Sequence, residues 1–81
     1  MIFTYNKEFV GDVLMVIVAD NEGAKVAFER KGNVTRIFRE DTQQTIAWNI
    51  FQVSEYLDIN QVGQVTLTDQ DVAKLNQELQ K

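Results

Sequence analysis

The side chains that most often perform catalysis are scarce in this 81-residue sequence, which contains neither histidine nor cysteine. The absence of histidine removes the commonest general base and the commonest zinc ligand. The absence of cysteine excludes disulfide bonds, thiol nucleophiles and thiolate-bound metals. Ser54 and Glu55 are adjacent, but no lysine or glycine elbow accompanies them, so we interpret them as a cap or a surface pair. We therefore predict that the chain is not an enzyme.

Two short acidic motifs supply the carboxylates that a cation site needs. They are Asp20-Asn21-Glu22 and Asp69-Gln70-Asp71, and neither carries the remaining ligands of a calcium loop. The second follows Thr68, in the first turn of a predicted helix, where negative charge is favoured. The four glycines are isolated from one another, so no phosphate-binding loop is present. We predict no metal and no cofactor.

Positive charge is concentrated in one segment, although the formal net charge is −4. Residues 25–39 hold five basic side chains against Glu29 alone: Lys25, Arg30, Lys31, Arg36 and Arg39. Basic side chains interleaved with Phe28 and Phe38 are typical of a stacking surface for RNA. This segment is the part of the sequence that suggests RNA contact.

The dipeptide Gly32-Asn33 predicts a two-residue hairpin loop in the basic segment, with facing residue numbers that sum to 65. Glu29 then faces Arg36 and Lys25 faces Glu40, each pair contributing roughly 0.2–1 kcal/mol. The basic residues left without acidic partners are the candidate RNA-binding residues: Arg30, Lys31 and Arg39. Three free cations are few for salt-dependent binding, so we favour a solvated hairpin over an RNA surface. One face of the hairpin is assigned to the core: Ala24, Val26, Phe28, Thr35 and Ile37.

The strands are predicted by short runs rich in β-branched and aromatic residues. Residues 13–19 form an apolar run, which we interpret as a central strand covered on both faces. Residues 2–5 predict an outer strand, residues 45–51 a further strand and residues 64–67 a short one. Asn49 lies inside the strand at 45–51, either as a buried group satisfied by backbone or as a ligand contact.

A helix is predicted over residues 69–80, with Thr68 as its N-cap and a narrow apolar stripe that docks on the sheet. Residues 52–57 predict a helical turn. The sum is one α+β domain, a mainly antiparallel sheet of about five strands packed against a C-terminal helix. The amino terminus carries no secretory signal and no apolar run is long enough to cross a membrane, so we expect a cytoplasmic protein.

Three stretches of the sequence together resemble one family. They are Phe3-Thr4-Tyr5-Asn6-Lys7-Glu8 with Val10-Gly11-Asp12-Val13-Leu14, Trp48-Asn49-Ile50-Phe51 with Ser54-Glu55-Tyr56, and Gly63-Gln64-Val65 leading to Leu75-Asn76. Across essentially all 81 residues the sequence is similar to the amino-terminal domain of stand-alone tRNA-binding proteins of Gram-positive bacteria, which are themselves similar to the phenylalanyl-tRNA synthetase β chain. It departs from the family pattern at Ala47, where glycine is common.

The resemblance implies that residues 1–81 are the N-terminal piece of a longer protein. In that family an oligonucleotide-binding barrel follows and binds tRNA, so tRNA is the expected partner through a C-terminal domain absent from this sequence. The implied function is a non-enzymatic accessory domain that supports or orients the barrel, with no catalytic residues. Two alternatives stay open: a protein–protein module, including a homodimer, through an exposed sheet edge, and weak direct RNA contact by the basic hairpin.

Overall fold

Six strands form one antiparallel sheet in the computed structural model, which describes residues 1–79. The strands are Ile2–Tyr5 (β1), Val13–Ile17 (β2), Val26–Lys31 (β3), Val34–Arg39 (β4), Thr45–Phe51 (β5) and Gly63–Val65 (β6). Their order across the sheet is β3-β4-β5-β2-β1-β6. The predicted α+β class is confirmed, with six strands where about five were expected. The prediction of an outer position for β1 is wrong, because β6 pairs along its free side through Phe3 and Val65.

Three helical elements connect or cover the strands. They are a single turn at Lys7–Val10 (α1), a 3₁₀ turn at Val53–Glu55 and the helix Asp69–Leu79 (α2). The predicted cap of α2 is confirmed: the Thr68 N–H donates to Asp71 Oδ2 at 3.3 Å, and the Asp71 N–H donates to Thr68 Oγ1 at 3.2 Å. The predicted last residue of this helix, Gln80, lies outside the described residues.

The hydrophobic core lies on one side of the sheet, which we call the helix face because α2 packs there. Its buried residues are Tyr5, Leu14, Val16, Ile50, Val53, Leu57, Val65 and Leu75. The opposite side, the open face, carries Met15, Asn49 and Thr35, which pair with one another across β2, β5 and β4. Met15 is 40% exposed, so the prediction that its strand is covered on both faces is wrong. Met15 is exposed because the helix covers only the side that carries Leu14 and Val16.

The β3–β4 hairpin has the predicted register but presents the opposite face to the core. Val26 pairs with Arg39 and Lys31 with Val34, which confirms the two-residue loop. Gly32 has a φ of +60°, the left-handed conformation expected at the first loop position of a type II′ turn. Phe28, assigned to the core, is 68% exposed. Its side is fixed by β5, because Ile37 pairs with both Phe28 and Ala47 and all three lie on the open face.

Candidate functional site

Arg30, the first predicted RNA-binding residue, lies on the open face near the hairpin tip. Its guanidinium stacks over the Phe51 ring, 4.7 Å from the ring centroid. Its Nε also donates to the Gly32 carbonyl at 3.1 Å. One contact is with β5 and the other with its own hairpin, and together they hold the side chain against the sheet while leaving it exposed, so a ligand would meet an ordered cation.

Lys31, the second predicted residue, points to the helix face, because successive strand residues alternate between the two sides of the sheet. It is exposed, and its ammonium has no ion-pair partner among residues 1–79. Lys31 is therefore the candidate residue whose charge is available to an external anion.

Arg39, the third predicted residue, is held by carboxylates. It donates to Asp41 through Nε at 3.0 Å and Nη2 at 2.7 Å, and Nη1 lies 3.7 Å from Glu22. The Arg39 hydrogen bond lowers the pKa of the Asp41 carboxyl below its ordinary value. The expectation that Arg39 lacks an acidic partner is wrong, because the partners come from the turns beside the hairpin and not from the facing strand.

The three predicted residues do not form one surface. Arg30 and Lys31 lie on opposite faces at the hairpin tip, and Arg39 lies at the other end of the strands, four to five residues or roughly 13–17 Å away along the ladder. RNA contact by these residues stays a prediction. Arg30 and Lys31 lie close together at the hairpin tip, whereas Arg39 is distant from them and is ion-paired.

The charge pairs expected within the hairpin are half present. Arg36 Nη1 lies 3.7 Å from Glu29 Oε2, as the register predicted. The Glu40 N–H donates to the Lys25 carbonyl at 3.1 Å, but the two side chains form no ion pair within the part of the chain that the structure describes. Arg36 does more than the register indicated, since it also donates to Thr45 Oγ1 and to the Gln43 carbonyl, both at 2.6 Å. It therefore fixes the β4–β5 connection.

A groove of about 690 Å³ opens on the helix face, between the hairpin tip and the last turn of α2. Its lining is mixed, with basic, acidic, amide, aromatic and aliphatic side chains. They include Lys31, Asn33, Arg36, Trp48, Tyr56, Glu78 and Leu79. Asn33 Nδ2 donates to the Tyr56 hydroxyl oxygen at 3.2 Å, which ties the hairpin loop to the turn after β5. The groove therefore offers an aromatic wall with the free Lys31 ammonium at its rim.

Strand alternation holds one usable signal for this groove, which the hairpin prediction missed. Trp48 pairs with Arg36, and Arg36 pairs with Glu29, so all three share the helix face. Extending the alternation from β5 through both hairpin strands would have placed Trp48 beside the basic side chains. The contribution of Tyr56 and Leu79 depends on how the chain returns after β5, which strand periodicity does not determine.

Asp12 is the centre of a polar cluster that joins distant parts of the chain. Its carboxylate accepts the Tyr5 hydroxyl at 2.8 Å, the Ser54 hydroxyl at 2.5 Å and the Ser54 N–H at 3.2 Å. Burial acts to raise the pKa of Asp12, but the hydrogen bonds from Ser54 and Tyr5 outweigh it and hold the pKa below its ordinary value. The bond to Asp12, helped by burial, raises the pKa of Tyr5.

The Asp12 cluster does not activate a nucleophile. The Ser54 hydroxyl is bound to a carboxylate whose low pKa makes it a poor proton acceptor, and Asp12 already accepts from Tyr5. The Val53 N–H also donates to the Asp12 carbonyl at 3.3 Å. The cluster thus joins the start of β2 to the 3₁₀ turn. Ser54 and Glu55 were interpreted as a cap or a surface pair, but the partner of Ser54 is Asp12.

Asn49 has a buried side-chain oxygen with no hydrogen-bond partner among residues 1–79. The interpretation that backbone groups satisfy this side chain is therefore wrong for its oxygen. Asn49 lies on the open face between Met15 and Thr35, its partners in the neighbouring strands, and neither donates to its oxygen.

Within residues 1–79, no three carboxylate side chains gather closely enough to hold a metal ion. In the same part of the chain no helix has the length and apolar character needed to cross a membrane. Polar side chains form three separate clusters in this part of the chain, around Asp12, Arg36 and Arg39. Within each cluster they hydrogen-bond to one another.

The fold and its polar clusters define a small α+β domain. It contains the Asp12 carboxylate, which already accepts hydrogen bonds from Tyr5 and Ser54, and a groove lined by aromatic and charged side chains. The chain belongs to the family described as a domain of unknown function, DUF4479, whose model matches residues 21–81. It is also similar to the "Putative tRNA-binding protein YtpR" of Bacillus subtilis (strain 168), with 38% identity over 77 residues. The alignment covers 95% of this chain and 38% of that relative's length. No solved structure matches the chain significantly.

The comparisons support the resemblance to tRNA-binding proteins only in that the similar protein is named for tRNA binding. The relative is named for tRNA binding and not for an enzymatic activity, and the matching family indicates no catalytic function. The chain spans well under half of the relative's length.

Proposed function

We propose that this chain is a non-enzymatic accessory domain of a cytoplasmic tRNA-binding protein. The observation that carries the proposal is the 38% identity that extends over 95% of the chain and reaches a protein named for tRNA binding. In this proposal tRNA binds to an oligonucleotide-binding barrel that follows residue 81, as in proteins resembling the phenylalanyl-tRNA synthetase β chain. The domain supports or orients that barrel.

The geometry supports a scaffolding role in two ways. The polar side chains of Asp12, Arg36 and Arg39 are engaged within the domain, which suits a rigid support better than a reactive centre. Leu79, at the end of α2, lines the groove that also contains Trp48 and Lys31. In this proposal the barrel packs against that groove.

Deletion of residues 1–81 from the full-length protein tests the accessory role. We expect tRNA affinity, tRNA specificity or the thermal stability of the remaining protein to fall, measured by fluorescence anisotropy with labelled tRNA and by calorimetry. If all three quantities equal those of the intact protein, the accessory role is wrong.

Direct RNA contact by the hairpin is a second candidate, favoured by the free charge of Lys31 beside Trp48. If it holds, K31E and R30E in the full-length protein weaken tRNA binding, and each reduces the slope of log affinity against log salt by roughly 0.7–0.9 per lost phosphate contact. R39E provides the comparison, because Arg39 is already paired with Asp41. Equal affinities for K31E, R30E and the unmodified protein would exclude this candidate.

A protein–protein role is a third candidate, and its motivation is the edge strand β3. This strand has six residues, and its outer side has no neighbouring strand in the part of the chain that the structure describes. It carries Phe28, which is 68% exposed. Long exposed edges of this kind are templates for pairing with another chain.

A further inference from the structure

The outer side of β3 has a defined pattern of free backbone groups. Lys25 accepts a hydrogen bond from the Glu40 N–H, so it belongs to a pair that bonds towards β4. Backbone bonding alternates along an antiparallel strand, so Ala27, Glu29 and Lys31 also bond towards β4. The N–H and C=O groups of residues 26, 28 and 30 therefore point away from the sheet, where no strand within residues 1–79 receives them.

We propose that β3 pairs antiparallel with β3 of a second copy of this chain, about a two-fold axis through Ala27. Facing residue numbers in this pairing sum to 54. Outward-bonding residues must face outward-bonding residues, which restricts the sum to even values. The inference names the partner for the protein–protein role proposed above and rests on it. It does not depend on RNA binding.

Charge selects the register among the even sums. With the axis at Ala27, Lys25 faces Glu29 of the partner subunit, and symmetry produces this opposite-charge pair twice. A shift of the axis to Phe28 places Lys25 against Lys31 of the partner subunit. Further shifts in that direction place Glu29 or Arg30 against its own copy. Like charges in facing positions are destabilising, so these registers are disfavoured.

The opposite shift loses the favourable charges. With the axis at Val26, Glu29 faces Gly23 of the partner subunit and Lys25 faces Ala27 of the partner subunit, so neither charge faces an opposite one. That register contains neither opposite-charge pair. The axis at Ala27 is therefore the one that forms both Lys25–Glu29 pairs between the copies, with residues 26–28 of β3 facing one another across the axis.

The same register covers the exposed aromatic ring. Val26 faces Phe28 of the partner subunit, and directly facing residues in an antiparallel pair project to the same side of the sheet. Both pairs lie on the open face, so the 68% exposed Phe28 gains an apolar neighbour from the other copy. Ala27, a small residue, lies at the axis on the helix face. The two sheets become one continuous sheet with both copies of α2 on the same side.

Exchanging the charges of Lys25 and Glu29 tests the proposed pairing between the two copies of β3. Sedimentation equilibrium should show a concentration-dependent dimer, and K25E or E29K should each weaken it about tenfold, because two attractive pairs become repulsive. The double variant K25E/E29K restores opposite charges and should recover dimerisation. Urea unfolding of each dilute variant checks that the monomer remains folded. A chain that stays monomeric at millimolar concentration, or a double variant no better than the single ones, overturns the proposal.

Single cysteines test the register, since the chain has no cysteine of its own. In A27C the two thiols face each other across the axis with Cα atoms about 4.5 Å apart, within the range of a disulfide bond. The matched control E29C places its two cysteines four residues out of register, roughly 13 Å apart. We expect disulfide-linked dimers from A27C and not from E29C under mild oxidation. Preferential linkage of E29C would show another register, and failure of this dimer leaves the tRNA deletion experiment unaffected.

Discussion

Asp12 illustrates how one side chain joins parts of the chain that are distant in sequence. It receives three hydrogen bonds, from Tyr5 and from the side chain and backbone of Ser54, which lies 42 residues away. Bonds to a charged acceptor are stronger than neutral ones, so this cluster is a substantial part of the link between β2 and the 3₁₀ turn. The carboxylate therefore has a structural function that its position in the sequence did not indicate.

Acid should weaken the Asp12 link. Its pKa is lowered on folding from an ordinary value of 3.8, so the stabilisation is fully present above that pH and is lost as pH falls through the lower, folded pKa. We expect D12N to reduce the free energy of unfolding by about 1 kcal/mol at pH 7, with the difference from the unmodified chain shrinking below pH 4. Urea titrations from pH 7 to pH 2 measure this.

The control for D12N is D58N, which removes an exposed carboxylate from the loop after the 3₁₀ turn. We expect it to have little effect on stability at pH 7. If the free energy of unfolding of D12N differs from that of the unmodified chain by the same amount at every pH, the structural role assigned to the ionised Asp12 carboxylate is contradicted.

At the scale of single elements, the hairpin shows what a sequence can and cannot predict. The Gly32-Asn33 loop determines the register by itself, and the facing pairs predicted within β3 and β4 are present. The face that points to the core depends on β5, whose pairing with β4 contains an irregularity between Ile37 and Phe38. Local pattern cannot supply that information, because the hairpin carries apolar residues on both sides. The hydrophobicity of Phe28 was therefore a misleading guide.

Substitution of Phe28 distinguishes the two faces. In the dilute chain, where pairing between copies does not contribute, F28T should change the free energy of unfolding by no more than about 0.5 kcal/mol. I50A, which truncates a fully buried side chain in β5, should cost about 3 kcal/mol. Chemical denaturation of both variants provides the comparison. A large loss in F28T would mean that the ring is buried after all.

The helix start was predictable because its signal is local. Thr68 and Asp71 satisfy each other's backbone N–H groups, the reciprocal arrangement of a capping box. We expect T68A to lower the free energy of unfolding by about 1 kcal/mol. T66A serves as the matched control, since the Thr66 side chain is exposed and only its backbone contacts Gln61. Equal stabilities for T68A and T66A would exclude a capping contribution, and thermal unfolding measures both.

At the scale of the whole molecule, a single-sided sheet explains the errors of the strand predictions. The apolar run at 13–19 suggested cover on both sides, but α2 is the one long helix within residues 1–79 and it covers one face. The other face places moderately sized side chains such as Met15 at the surface without a second layer. Periodicity indicates which residues can be buried, whereas the number of covering elements decides which of them are.

Because α2 supplies the cover of the core, its docking should determine the stability of the entire domain. Leu75 is 2% exposed and belongs to the same core cluster as Leu14, Val16 and Ile50. L75A should cost about 3 kcal/mol, and for a domain of this size each kcal/mol lowers Tm by roughly 4–8 °C. The matched control K74A, on the exposed side of the same helix, should leave Tm nearly unchanged.

The way in which L75A unfolds is as informative as its Tm. The helix and the sheet share one core, so far-UV circular dichroism and Trp48 fluorescence should report a single coincident transition in L75A, as in the unmodified chain. If the helix signal melts first while Trp48 keeps its native emission, the sheet is stable without α2. The two layers would then be separate cooperative units, and the helix would be free to move relative to the groove that it shares with the hairpin.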